Sequence, residues 1–223
     1  MLKLGIDDAG RGPVIGPMVL AGCLINEKTE KEFKKIGVKD SKQLTEKRRE
    51  FLADIIREKA ETFEVVIISP QEIDYFSKKG IKLNEVEAFA CAKIINKINK
   101  GYKKISVVVD CPSTSLVKWK EFLESKINNT SSLDVSCEHK ADKNHVAVSA
   151  ASILAKSVRE KEMLKLKEKY GSDMGSGYTS DPKTKKFLKT NIKKYNNNGI
   201  FRKTWSTWKN ALGTNEQKRL SEF

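Results

Sequence analysis

The stretch that decides the fold is KLGIDDAGRGP, residues 3–13. Its apolar start predicts a strand, its two carboxylates fall at the strand end, and its glycines predict a turn. Similar runs of strand length lie at residues 18–25, 63–68, 105–109 and 133–137. Helical patterns lie at residues 45–59, 84–99 and 146–170. Three early strands followed by alternating helices and strands predict a mixed five-stranded α/β sheet flanked by helices.

The chain is strongly basic, with 43 Lys and Arg against 29 Asp and Glu and a formal net charge of +14. Residues 182–223 carry eleven of these cations and two Glu, so much of the excess lies near the C-terminus. This distribution favours a polyanionic partner, nucleic acid before an anionic membrane. The alternative is a lysine-rich composition that only serves solubility. We predict a core at residues 1–181, a basic helical extension at 182–212 and a flexible tail at 213–223.

Length and composition also exclude some classes of protein. With 223 residues, 39% of them apolar, the chain can bury a sizeable core. No apolar run approaches the roughly 20 residues of a membrane-spanning helix, and the N-terminus has no signal-peptide pattern. Four widely spaced cysteines, Cys23, Cys91, Cys111 and Cys137, are typical of reduced side chains rather than a disulfide framework. We therefore expect a cytoplasmic monomer that makes no membrane contact.

Four aspartates are candidate metal ligands. Asp7 and Asp8 follow the first strand, Asp110 ends a later strand, and Asp142 precedes the longest helix. Oxygen ligands without a nearby thiolate or imidazole favour Mg²⁺ or Mn²⁺ over zinc. For each aspartate the alternative is a helix N-cap or a turn residue. Since neighbouring strand residues point to opposite faces, Asp7 and Asp8 can share a site only if the chain leaves strand geometry at Asp8.

Other catalytic or binding patterns are weaker. Cys137, His139 and His145 lack a fourth zinc ligand and match no zinc-finger spacing. The sequence has no GxSxG turn of the kind that carries the nucleophile of many serine hydrolases. The glycines at residues 10–12 fit neither a P-loop nor a dinucleotide fingerprint. Those glycines either let a ligand approach the backbone closely or form an ordinary tight turn.

A series of short motifs runs through most of the chain. In order they are GIDDAGRGP at 5–13, DSK at 40–42, VD at 109–110, HKAD at 139–142, SAASILAK at 149–156 and GSGYTSDPKT at 175–184. This ordered set closely resembles the type 2 ribonucleases H, in their archaeal, single-chain ribonuclease HII form. The resemblance implies a ribonuclease H-like mixed five-stranded sheet flanked by helices. It also implies a catalytic core at residues 1–181 and a C-terminal helical extension.

The resemblance implies an endoribonuclease that cleaves the RNA strand of RNA/DNA hybrids and nicks duplex DNA on the 5′ side of a single ribonucleotide. The products would carry 3′-hydroxyl and 5′-phosphate ends. The role would be the removal of RNA primers and misincorporated ribonucleotides. Hydrolysis would use two Mg²⁺ or Mn²⁺ ions. The catalytic and metal-binding residues would be Asp7, Asp8, Asp110 and Asp142.

The same resemblance implies how the substrate is bound. Gly10, Arg11 and Gly12 would contact the backbone at the scissile phosphate and read the 2′-hydroxyl, the group that distinguishes RNA from DNA. Tyr178 would stack on the neighbouring sugar and donate a hydrogen bond. Basic side chains nearby are either phosphate contacts or solvated charges. These basic candidates are Lys42, Lys156 and Arg159.

Two positions depart from the family pattern. Asp8 stands where glutamate is usual, so its carboxylate is one methylene shorter. We expect weaker catalysis or a preference for the larger Mn²⁺. Thr179 stands where proline is usual, which leaves the loop around Tyr178 less restrained.

The C-terminal residues resemble a sliding-clamp-binding peptide. Gln217, Leu220 and Phe223 are spaced to lie close to one face of a short helical turn. The usual pattern has two adjacent aromatic residues and this one ends after the first, so a frayed basic terminus is the alternative. A working peptide would tether the enzyme to a clamp on DNA.

Two rival interpretations are open at this point. One is a nucleic-acid-binding protein that keeps the fold without catalysis, suggested by Asp8 and the basic extension. The other is a ribonuclease HIII, against which the GRG at residues 10–12 has the HII form. Metal-dependent nicking at a lone ribonucleotide distinguishes these from a ribonuclease HII.

Overall fold

The computed structural model describes residues 1–39, 41–101 and 103–220, and its description leaves out the side chains of residues 42 and 214–220. The strands in this part of the chain are β1 Leu2–Ala9, β2 Met18–Ile25, β3 Thr62–Ile68, β4 Ile105–Asp110 and β5 Leu133–Glu138. The α-helices are α1 Glu27–Ile36, α2 Glu46–Lys59, α3 Pro70–Lys78, α4 Leu83–Ile98, α5 Leu116–Glu124, α6 Val146–Tyr170, α7 Pro182–Asn191 and α8 Ser206–Leu220. None of these described helices combines the length and apolar character that a membrane span requires.

The five strands form one mixed sheet in the order β3-β2-β1-β4-β5. β1 pairs antiparallel with β2 and parallel with β4, and β4 pairs parallel with β5. Every residue of β2 is buried, as expected for a strand that is covered on both faces. The predicted mixed five-stranded sheet flanked by helices is therefore confirmed.

The end of β1 differs from the prediction. We expected the chain to leave strand geometry at Asp8, but pairing with β2 continues through Asp8 opposite Leu20 and Ala9 opposite Val19. Val19 and Leu20 are buried, so continued pairing satisfies backbone groups that would otherwise lack partners. As a result, Asp7 and Asp8 stay on a regular strand and point to opposite faces of the sheet.

The structure divides into two compact units, each assembled from separate stretches of chain. The first consists of Met1–Ala9, Val19–Val66 and Asn84–Val158. On one face of its sheet, alternate residues of β2 pack against α1, α2 and the start of α6. Gly5 permits this close packing, because an added Cβ would lie 2.1 Å from the Ala147 carbonyl carbon and the Val148 nitrogen of α6. Gly22 does the same toward Ile94 of α4 on the opposite face.

The second unit takes its residues from three stretches, Gly10–Met18, Ile67–Leu83 and the C-terminal part from Arg159. Its apolar core packs Met163, Phe187 and Trp208 of α6, α7 and α8 against Val14 and Ile15. The predicted boundary at residue 181 marks a change in charge. Contacts instead group the basic extension with stretches that precede it by more than 100 residues.

Helix α8 continues through residues 213–220, where a flexible tail was predicted. This segment, GTNEQKRL, holds one glycine, which costs a helix about 1 kcal/mol, and strong helix formers follow it. The polar composition that suggested a tail is therefore compatible with a helix. Residues 221–223 lie outside the described residues.

Candidate active site

A pocket where β1 and β4 end collects three of the predicted metal ligands, and we call it the acidic pocket. α4 and α5 contribute buried side chains to its wall. Its carboxylates are Asp7, Asp8, Asp110 and Glu87, and the wall also includes Cys91 and Trp119. All of these residues belong to the first unit. Asp7 and Asp8 thus line the same pocket, although they are neighbours on a regular strand.

Asp7 is 6% exposed, and its pKa is raised well above the usual value. Burial is the largest cause because it disfavours the charged form, and the negative charges of Asp8 and Asp110 act in the same direction. Hydrogen bonds from the Ser152 hydroxyl and from the Asp8 backbone N–H, at 2.7 Å, lower the pKa in part. The carboxylates of the pocket therefore disfavour the ionised form of Asp7 by their mutual repulsion.

The donors of the acidic pocket fit a hard divalent cation in chemistry and in charge. Carboxylate oxygens are the ligands that Mg²⁺ and Mn²⁺ prefer. Burial, followed by the charge of Glu87, raises the pKa of the Cys91 thiol, so this sulfur stays protonated and is a poor ligand. Among residues 1–39, 41–101 and 103–220, no group of three or more His, Cys, Asp or Glu is spaced to hold a metal ion. The fit consequently rests on donor type and on the repulsion among the carboxylates, which a bound cation would relieve.

A chain of hydrogen bonds leads to Asp7 from Lys156 of α6. Lys156 Nζ donates to Ser41 Oγ, and the hydroxyl oxygens of Ser41 and Ser152 are 2.8 Å apart. An ammonium group only donates, and the Ser152 hydroxyl is bonded to the Asp7 carboxylate, so every proton in the chain points toward Asp7. Lys156 thus supports the Asp7 carboxylate through two hydroxyls, and its phosphate contact stays a prediction.

Asp142 lies next to a residue that contacts Asp110. The Ala141 backbone N–H donates to Asp110 Oδ1 at 3.0 Å, and the Asp142 carbonyl accepts from Ser149 Oγ at 2.6 Å. Asp142 is buried, yet the described residues that line the acidic pocket do not include it. Its role as a metal ligand stays a prediction.

The second unit holds the predicted substrate residues Gly10, Arg11, Gly12, Arg159 and Tyr178. Gly10 has a φ of 81°, and a Cβ there would lie 2.1 Å from Arg159 Nε, so glycine lets this side chain rest against the backbone. The Arg159 guanidinium lies 5.1 Å from the centre of the Tyr178 ring, and Nη2 donates to the Ser176 carbonyl at 3.3 Å. A Cβ on Gly12 would be 3.9 Å from Tyr178 Cε1, an ordinary van der Waals contact, so the turn and the Tyr178 ring lie close together.

Several predicted contacts lie outside the described part of the structure. These are the side chains of Lys42, Gln217 and Leu220, and all of Phe223. Two described residues of the site were missed from the sequence. Ser152 had a signal, since it stands four residues before Lys156 on the same helix face. Glu87 had none, because nothing in the sequence distinguishes it from Glu85, two residues earlier in α4.

Comparison with known proteins agrees with this architecture. The family model of ribonuclease HII matches residues 4–208. A ribonuclease HII of Methanococcus maripaludis (strain C7) is 42% identical over 223 residues, which cover 99% of this chain and 91% of that protein. The crystal structure of ribonuclease H2 from Pyrococcus horikoshii OT3 superposes with a TM-score of 0.83 at 38% identity, over 95% of this chain and 97% of the other. The fold and pocket therefore define a ribonuclease H, and the chain belongs to the ribonuclease HII family.

Two further solved structures share the fold. One is the complex of PCNA with RNase HII from Archaeoglobus fulgidus, with a TM-score of 0.81 at 39% identity over 92% of this chain and 96% of that one. The other is Bst-RNase HIII in complex with Mn²⁺, with a TM-score of 0.81 at 22% identity over 96% and 70%. Membership of the HII family sets aside both rival interpretations, and the protein is an endoribonuclease, a hydrolase with ribonuclease H activity.

Proposed function

We propose that this endoribonuclease nicks duplex DNA on the 5′ side of single ribonucleotides and cleaves the RNA strand of RNA/DNA hybrids. Its role would be the removal of misincorporated ribonucleotides and RNA primers. The observation that carries the proposal is the acidic pocket, in which the buried carboxylate of Asp7 and the partly buried carboxylates of Asp8 and Asp110 meet at the sheet end. Membership of the ribonuclease HII family supports it.

Asp7, Asp8 and Asp110, with Asp142, would hold two divalent ions, Mg²⁺ or Mn²⁺. Such ions, when bound, supply charge that stabilises both the attacking and the leaving oxygen of phosphodiester hydrolysis. Hydrogen bonds from the Ser152 hydroxyl and the Asp8 N–H keep the Asp7 carboxylate oriented and partly offset the burial and negative charges that raise its pKa. Breaking the bond to the 3′-oxygen leaves a 3′-hydroxyl on one product and a 5′-phosphate on the other.

Substrate reading would fall to the turn at residues 10–12 and to Tyr178. Backbone N–H groups of the turn can bond to a 2′-hydroxyl, which deoxyribose lacks. Tyr178 is 40% exposed, so its ring can stack on a sugar while its hydroxyl bonds to the backbone. Arg159 is buried against the Tyr178 ring, so we assign it to holding that ring rather than to a phosphate. Lys42 and Lys156 are the remaining proposed phosphate contacts.

A gel assay with three end-labelled duplexes tests this function. The duplexes are all-DNA, DNA with one ribonucleotide, and an RNA/DNA hybrid, each incubated with Mg²⁺, Mn²⁺ or chelator. We expect nicking 5′ of the ribonucleotide, cleavage of the hybrid and no cut in all-DNA, with all activity lost in chelator. We expect Mn²⁺ to support faster cleavage than Mg²⁺ because the Asp8 side chain is short. An intact ribonucleotide duplex, or full activity in chelator, would contradict the proposal.

We further propose that the C-terminal residues bind a sliding clamp, as the RNase HII of Archaeoglobus fulgidus is found with PCNA. Residues 217–220 are helical in α8, and Gln217 and Leu220 stand three positions apart in the sequence. Deleting residues 217–223 should abolish clamp pull-down and leave cleavage of short duplexes within about twofold, since no described site residue is removed.

The matched control for this deletion is Lys218→Ala, which alters the same segment outside the spaced pattern. We expect it to retain clamp binding. Pull-down of the truncated protein at the level of the full chain would reject the clamp site, whatever the cleavage assay shows.

A further inference from the structure

The turn at residues 10–16 is bonded to a buried side chain that lies outside all the motifs, Arg202, which is 0% exposed. Its Nη2 donates to the Gly10 carbonyl at 2.6 Å and its Nη1 to the Arg11 carbonyl at 2.7 Å. Nε and Nη2 also donate to the Gly16 carbonyl, at 3.1 and 3.0 Å. One guanidinium therefore donates charge-assisted hydrogen bonds to three carbonyl groups of the turn.

These bonds fix the direction of the peptide groups in the turn. In a trans peptide the C=O and the following N–H point to opposite sides. Because the carbonyls of Gly10 and Arg11 point at the guanidinium, the N–H groups of Arg11 and Gly12 point away from it. Trp205 Nε1 also donates to the Gly12 carbonyl, at 3.3 Å. Successive N–H groups that leave one side of a turn form a concave site for an anion or an oxygen.

Arg202 is itself held in place by its neighbours in the second unit. Its backbone N–H donates to the Val14 carbonyl at 2.9 Å, and its guanidinium lies 5.1 Å from the centre of the Trp205 ring. The next two residues are bonded to the buried carboxylate of Asp74. That carboxylate accepts from Lys203 N at 2.8 Å, from Thr204 N at 2.9 Å and from Thr204 Oγ1 at 2.7 Å. The guanidinium is thus oriented before any substrate arrives.

We propose that Arg202 is a positioning residue that fixes the Gly10–Arg11 and Arg11–Gly12 peptide planes, so that the N–H groups of Arg11 and Gly12 face the ribonucleotide. The inference rests on the proposed function, because it takes that turn to be the part that reads the 2′-hydroxyl. Arg202 itself is buried and acts only through the turn. Lysine cannot replace it fully, since an ammonium group is a point donor without the planar fork that spans several carbonyls.

Arg202→Met and Arg202→Lys test the proposal, with Ile56→Val as a matched control. Ile56 is equally buried, but it belongs to the apolar core around α2, whose described residues include none of residues 10–17. In Arg202→Met without substrate, backbone hydrogen exchange of residues 10–17 should become at least about tenfold faster. This factor corresponds to the loss of one charge-assisted hydrogen bond. The value of kcat/KM on the single-ribonucleotide duplex should fall by a similar factor or more.

The variants separate positioning from general destabilisation. Arg202→Lys should lie between wild type and Arg202→Met in both measurements, because lysine can still donate to part of the turn. Ile56→Val should lower the melting temperature without changing the exchange of residues 10–17 or kcat/KM. If Arg202→Met does not fold, Asp74→Asn, which loosens residues 203–204, should speed exchange in the same turn.

Unchanged exchange in the turn of a folded Arg202→Met or Asp74→Asn variant would overturn the proposal, and so would unchanged kcat/KM. If the wild-type protein leaves the ribonucleotide duplex intact, the proposed function fails instead. Hydrogen exchange of the turn, compared between the substrate-free wild type and Arg202→Met, then still shows whether Arg202 orders the turn.

Discussion

Asp7→Asn is expected to abolish cleavage of a duplex with one ribonucleotide, by about 10³-fold or more, while the duplex is still bound. The amide keeps the shape of the carboxylate but not the charge that would attract a divalent ion beside Asp8 and Asp110. A loss of about 4 kcal/mol of transition-state stabilisation corresponds to this factor. Single-turnover cleavage and gel-shift binding with the same labelled duplex measure the two effects separately.

Asp7→Asn should also raise the melting temperature in chelator at pH 7 by a few degrees. The pKa of Asp7 is raised on folding, so the folded state retains the proton more strongly than the unfolded state does. Stability is therefore lost as pH rises from about 4, the unfolded-state value, through the raised folded-state pKa. Asparagine does not ionise and avoids this loss. Mn²⁺ should then stabilise the wild type more than the variant, because it binds the ionised pocket.

Asp134→Asn is the matched control for this change. Asp134 lies exposed on β5 of the same sheet and does not line the acidic pocket. It should leave cleavage and Mn²⁺-dependent stabilisation as in the wild type. Wild-type turnover by Asp7→Asn would remove Asp7 from the catalytic residues.

Gly5→Ala should destabilise the protein by about 3 kcal/mol or more. The added methyl would lie 2.1 Å from backbone atoms of Ala147 and Val148, which cannot move by changing a rotamer. Either α6 or β1 has to shift, and both carry the acidic pocket or its supporting hydrogen bonds. We expect the melting temperature to fall by roughly 10 °C, measured by circular dichroism.

Gly213→Ala is the corresponding control, since it adds the same methyl group inside α8. Nothing lies within 4 Å of that Cβ, and alanine favours a helix over glycine. It should raise stability by up to about 1 kcal/mol. A Gly5→Ala protein that melts with the wild type would mean that β1 and α6 are not packed as closely as described.

The strands of the sheet and the acids at their ends were predictable because their signals are local. Largely apolar runs of four to eight residues identify buried strands, and the carboxylates of Asp7 and Asp110 directly follow such runs. The short helices were missed although their ends carry local signals. α1 begins after Asn26, which caps Thr29 N, and ends at Gly37 with a φ of 86°. α3 begins with a capping box between Ser69 and Glu72.

Contacts across long stretches of chain could not be predicted. Nothing near Arg202 indicates that its guanidinium binds carbonyls of residues 10–16, because the partners are backbone groups with no sequence signature. The continuation of β1 through Asp8 likewise depends on burial of the facing residues of β2. The glycines after Asp8 looked like the end of the strand, whereas pairing with β2 extends it to Ala9.

The bonds from Arg202 to the turn join residues 186 to 192 positions apart. A growing polypeptide therefore cannot order this turn until almost the entire chain has left the ribosome. The sheet needs no residue beyond Glu138, so it can assemble earlier. Contact between the N-terminal turn and Arg202 is then the late step of folding, because the chain must lose the conformational entropy of a large loop before these contacts form. If the turn reads the ribonucleotide as proposed, only the finished chain would acquire that recognition.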